Sequence, residues 1–81
     1  MDRLEFLNYN DRYCKFKLKG GKEVFGIVWE KVQGEKVVHY FASLVERMKL
    51  KENRIKENHL TEINLEEIVT AEPLPELQQA S

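Results

Sequence analysis

Eighty-one residues, 42% of them hydrophobic and 33% charged, suffice for one small hydrophobic core, which excludes both a multidomain chain and the low-hydrophobicity, high-charge regime of disordered ones. The formal net charge of -1 excludes a uniformly basic nucleic-acid binder. The charge is nevertheless uneven: Arg12, Lys15, Lys17, Lys19 and Lys22 occur with no acid among residues 12–22, whereas residues 61–81 hold Glu62, Glu66, Glu67, Glu72 and Glu76 and no lysine or arginine.

A single cysteine, Cys14, cannot close an internal disulfide, so a reducing, cytoplasmic setting is expected. The opening MDRLEFLNYND carries early acids and no apolar run of signal-peptide length, and nowhere do 18 apolar residues run together. No membrane span is expected.

Residues 1–11 read as a short lead-in ending in an Asn8-Tyr9-Asn10-Asp11 turn. Over residues 12–19 Cys14, Phe16 and Leu18 alternate with Lys15, Lys17 and Lys19, the period-2 signal of a half-buried strand. Gly20-Gly21 supplies a tight hairpin turn. The second strand, residues 22–33, is apolar on both faces, with Val24, Val28 and Val32 on one and Phe25, Ile27 and Trp29 on the other. Gly26 within it is expected to mark a bulge or bend that lets one long strand serve two sheets of a closed barrel.

A turn at residues 33–36 leads into a third strand, VVHYFA, rich in β-branched and aromatic residues. The period then changes. Leu44, Met48, Ile55 and His59 lie at helical spacing, Ser43 is an N-cap candidate with Glu46 three residues on, and Glu52 precedes Lys56 by four. A charged helix over residues 43–59 is the expectation, with a long hairpin loop as its alternative. Residues 60–65 alternate again, LEEI forms a 3₁₀ turn, and a last short strand ends at Pro73 and Pro75. Residues 76–81 are expected to be disordered.

The run KFKLKGGKEVFGIVWE (residues 15–30), together with INLEEIVTAE (residues 63–72), resembles SH3-like small barrels, particularly the Sm-like branch, and is distantly similar to the Rho-binding antitermination protein. The resemblance implies a mainly β fold: a small barrel of four or five strongly bent antiparallel strands over residues 1–75, with the helix inserted between strands three and four. The aspartate–asparagine loop and Ile-Arg-Gly signature of RNA-binding Sm rings are missing. Trp29-Glu30-Lys31 and Thr61-Glu62-Ile63 stand in their places, so the resemblance implies neither ring assembly nor a uridine pocket.

Two functional expectations compete. The leading one is a non-catalytic protein-interaction or adaptor module, self-association included, with Leu44, Met48 and Ile55 either capping an open barrel end or docking a partner or second copy. The alternative is single-stranded RNA binding through Arg12, Lys15, Lys17, Lys19 and Lys22. The first-strand lysines would project about 7 Å apart toward phosphates, and Tyr13 on their face could stack on a base. A solvated face, or an edge guarded against mispairing, explains the same lysines. Trp29, Tyr40 and Phe41 would suit a peptide groove but are expected in the core.

Cys14 shares the face of Phe16 and is expected to be a buried, inert thiol. Two histidines, His39 and His59, and one cysteine without close spacing indicate no metal site. Glu66 and Glu67 read as solvated turn residues, and Gly20-Gly21-Lys22 lacks the helix N-terminus of a phosphate loop. No enzyme activity, cofactor, membrane contact or small-molecule substrate is indicated.

Overall fold

The structure, a computed structural model, describes residues 1–54, 56 and 60–75. The elements run in the order α1 (Arg3–Phe6), β1 (Arg12–Leu18), β2 (Glu23–Gln33), β3 (Lys36–Ala42), α2 (Leu44–Lys51), β4 (Thr61–Glu62), a 3₁₀ turn (Leu65–Glu67) and β5 (Ile68–Pro73). The five strands form one antiparallel sheet in the order β4-β3-β2-β1-β5. The mainly β class holds, as does the helix between the third and fourth strands. The expected disordered tail, residues 76–81, lies outside the described residues.

The barrel does not close. β4 and β5 are the two edges of the sheet: among the described residues β4 pairs only Tyr40 with Glu62 and Phe41 with Thr61 before the chain leaves the ladder for the 3₁₀ turn. Among the described residues, no helix is long and apolar enough to cross a membrane.

Both faces of the sheet are covered, which accounts for the apolar residues on both sides of β2. Successive β2 side chains point to opposite faces, and Val28 joins Phe6, Cys14, Phe16, Leu65 and Ile68 in one core. Ile27 and Trp29 join Ala42 in a second core, against which Tyr13, Tyr40, Leu44, Leu50 and Leu60 pack. α1 and the 3₁₀ turn cover the first face and α2 covers the second.

The N-terminal lead-in contains a helix that the sequence reading missed. Asp2 caps α1 by accepting from the Glu5 N–H at 2.8 Å, and its one buried residue, Phe6, is wholly removed from solvent. The Asn8–Asp11 turn follows as expected, with Asp11 at φ 59° donating its N–H to the Val28 carbonyl.

Gly20 and Gly21 adopt φ values of 89° and 93°, the conformation glycine reaches without strain. Gly26 makes neither the expected bulge nor a link between two sheets. The β1–β2 register runs unbroken from Arg12 opposite Val28 to Lys17 opposite Glu23, and the irregularity lies instead between Lys17 and Leu18 against β5. Gly26 is required by close approach: a Cβ there would stand 2.8 Å from two ring carbons of Phe41 and against the Ala42 carbonyl.

The helix begins where expected but ends early. Ser43 and Glu46 form a reciprocal capping box, with bonds of 3.1 and 3.0 Å. Asn53 at φ 60° stops α2 at Lys51: its N–H donates to Leu50 O, and the Arg54 N–H donates to Lys49 O. This is the left-handed termination that asparagine tolerates. Glu52 pairs with Arg54 rather than with Lys56. Replacing Ser43 by alanine is expected to cost about 1 kcal/mol, measurable by urea denaturation and as faster amide exchange at Glu46 and Arg47.

Candidate functional site

β3 ends at Ala42 because Ser43 turns the chain into α2. The β2–β3 ladder therefore begins only at Ile27 opposite Ala42, and residues 23–26 of β2 are paired with β1 alone among the described residues. β4 does not reach this edge, since it pairs with β3 through two residues. The result is a cleft of about 570 Å³ between the β1–β2 hairpin and residues 61–67. Leu18, Val24, Phe41 and Ile63 supply its apolar lining. Lys22, Glu62 and Glu67 also line it, and all three are exposed.

A second, smaller cleft of about 420 Å³ is lined by Val37, His39, Glu62, Asn64 and Leu65. His39, considered from the sequence only as a metal ligand, is buried and belongs to a polar cluster. Its Nε2 lies 3.3 Å from Glu30 Oε1, and its ring meets the Phe6 ring edge-on at 5.1 Å. Arg3 from α1 donates twice to the same carboxylate, Nε at 2.8 Å and Nη2 at 2.7 Å. This bidentate geometry makes the cluster a clasp between α1 and the sheet.

The Arg3 hydrogen bonds hold the Glu30 carboxyl below the usual range, burial opposes them, and His39 assists. A carboxyl held below its unfolded value contributes stability that is complete above that value, 4.5, and is lost as pH falls through the folded value. The stability gap between the wild type and Glu30→Gln is accordingly expected to be widest near neutral pH and to close below about pH 4.5, as measured by urea titrations across pH.

The five basic candidates do not form one surface. Lys15 is half-buried and paired with Glu72 at 3.4 Å and Glu23 at 3.9 Å, so acids from both neighbouring strands interleave with the lysine face. Lys17 shares that face, Lys19 and Lys22 flank the glycine turn, and Arg12 lies on the opposite face, where Nη1 donates to Asn8 O at 3.2 Å.

The helical stripe is also redistributed. Leu44 packs onto the second core, Met48 is 53% exposed, and Ile55 falls outside the described residues, as does His59. The sheet-facing side of α2 is instead Leu44, Arg47 and Leu50. The Arg47 guanidinium stacks 4.1 Å over Trp29, and its Nε donates to Asp11 Oδ1 at 2.9 Å. Trp29 and Tyr40 belong to this second core with ring centroids 5.9 Å apart, whereas Phe41 packs against the first core, so the three aromatics line no common groove.

Burial pushes the Cys14 thiol up, opposite to what a nucleophile needs. Among the described residues, no three histidine, cysteine, aspartate or glutamate side chains gather as a metal site would require. No protein-family model, curated protein sequence or solved structure matches the chain.

Proposed function

We propose that this chain is a non-catalytic protein-interaction module that takes a peptide segment of a partner in the larger cleft. The observation that carries the reading is the combination of an apolar lining, from Leu18, Val24, Phe41 and Ile63, with a volume of about 570 Å³. Ligand pockets have this character and fall in this size range. A cytoplasmic location goes with the proposal and is supported by the lone, buried Cys14.

An NMR titration of isotope-labelled protein tests it, using a mixed peptide pool and, separately, a mixed single-stranded RNA pool at low and physiological salt. Shifts at Val24, Phe41, Thr61 and Ile63 with peptide are the expected result. Shifts confined to residues 12–22 with RNA that shrink as salt rises would replace the reading with phosphate-driven nucleic-acid binding. Silence with both pools would overturn it.

A further inference from the structure

The geometry points to strand addition: an extended peptide segment bearing a basic residue beside an apolar one pairs with the free edge of β2 at residues 23–25 and seats its apolar side chain in the larger cleft. This rests on the interaction reading above and specifies its ligand. Three observations converge on it.

The first is the backbone. Among the described residues, residues 23–25 have a strand neighbour on one side only, because β3 leaves the sheet at Ala42, whose carbonyl already stands against Gly26. An unpaired strand edge offers a row of N–H and C=O groups to any extended chain laid beside it. The mode of entry is thus main-chain pairing, and it asks nothing of the ligand's sequence except that it can extend.

The second is the floor. Leu18 and Val24 approach from the hairpin, Phe41 from β3, and Ile63 from the segment after β4. Val24 lies within the free edge itself, so the paired backbone and the apolar lining are adjacent. In an added strand alternate side chains point to one face, and a single large aliphatic side chain on that face meets these four residues.

The third is charge. Residues 61–75, which form the far wall and continue into β5, contain Glu62, Glu66, Glu67 and Glu72 and no cation. Glu72 is held by Lys15, but Glu62 and Glu67 at the cleft have no ion partner among the described residues. Among the described residues, Lys22 is the only cation of the lining, which there carries one positive and two negative side chains. A wall of one sign favours the opposite sign in its ligand and suppresses like-charged competitors.

The test uses three synthetic peptides with the labelled full chain at low salt: Lys-Val-Leu-Val-Lys, its charge-reversed counterpart Glu-Val-Leu-Val-Glu, and a backbone N-methylated version of the first. The protein is compared with a Glu62→Lys/Glu67→Lys variant, whose substitutions lie at exposed positions and leave both cores intact. The expected result is amide shifts at residues 23–25 and 61–64 with the basic peptide. About tenfold weaker binding is expected for the double variant, and a comparable loss on N-methylation. Equal binding of the acidic peptide, or indifference to the double substitution, would overturn the charge assignment while leaving the interaction reading intact. Retained affinity of the N-methylated peptide would overturn strand addition. Absence of any shift with all three peptides would overturn the inference, and the interaction reading would then fall only if the mixed peptide pool were silent as well.

Discussion

Replacing Gly26 by valine is expected to leave little folded protein at 25 °C. In an ordinary strand the change would help, because glycine is a poor strand residue and valine a good one. Here the Cβ would stand 2.8 Å from two ring carbons of Phe41 and against the Ala42 carbonyl, and the latter is backbone that cannot rotate away. Overpacking by even small groups costs about 1–3 kcal/mol, so Gly26→Ala is expected in that range and Gly26→Val beyond it. A small domain has only about 5–15 kcal/mol to lose and this one belongs near the lower end. Thermal melts and amide dispersion of the two variants check the order. A rise in melting temperature for Gly26→Ala would show that β2 and β3 do not approach as closely as described.

The second large effect is expected at Phe16. Its side chain is wholly buried in the first core, on the central part of β1 with Val24 on one neighbouring strand and Ala71 on the other. Truncating a buried phenylalanine to alanine costs about 3–5 kcal/mol through lost transfer energy and the cavity left behind, most of the stability available. Phe25 is the internal control. It lies opposite Lys15, one residue along the same hairpin, but faces outward and is 54% exposed. Phe25→Ala is expected to change stability by about 0.5 kcal/mol or less. Urea denaturation of both variants reads the contrast directly. Comparable losses at the two positions would mean that the hairpin's inward face is not the one described.

The Phe16 effect turns on which face of β1 the residue occupies, and that much was legible in the sequence, whereas the approach of Phe41 and Ala42 to Gly26 was not. Alternation placed Cys14 and Phe16 on the buried side of β1, and Gly20-Gly21 marked the hairpin that aligns β1 with β2. The Ser43/Glu46 box marked the start of α2, and the LEEI run its 3₁₀ turn. Two further features were within reach. Asn53 is a helix-stop residue, and it ends α2 at Lys51. The short β2–β3 turn fixes its register, which sets Glu30 opposite His39, so half of the clasp follows from local chain geometry.

The rest was decided by contacts between segments distant in the chain. α1 has four residues, too few for a helical period to show, and it persists because Phe6 fills the first core and Arg3 reaches Glu30. Arg47 reads as a surface cation until Trp29 and Asp11 are placed beneath it. The lysine face of β1 looks like a phosphate-binding row until β5 returns alongside and sets Glu72 against Lys15. The larger cleft is least visible of all in sequence, since it arises from where β3 leaves β2 and from how little of β4 pairs. By itself, then, the sequence determined the mainly β class, most strand positions, the hairpins and the start of the helix, because these depend on periodicity and on residues adjacent in the chain. The tertiary structure alone decided the open sheet, the two cores and the cleft, because burial and strand-edge pairing are set by which distant segments meet.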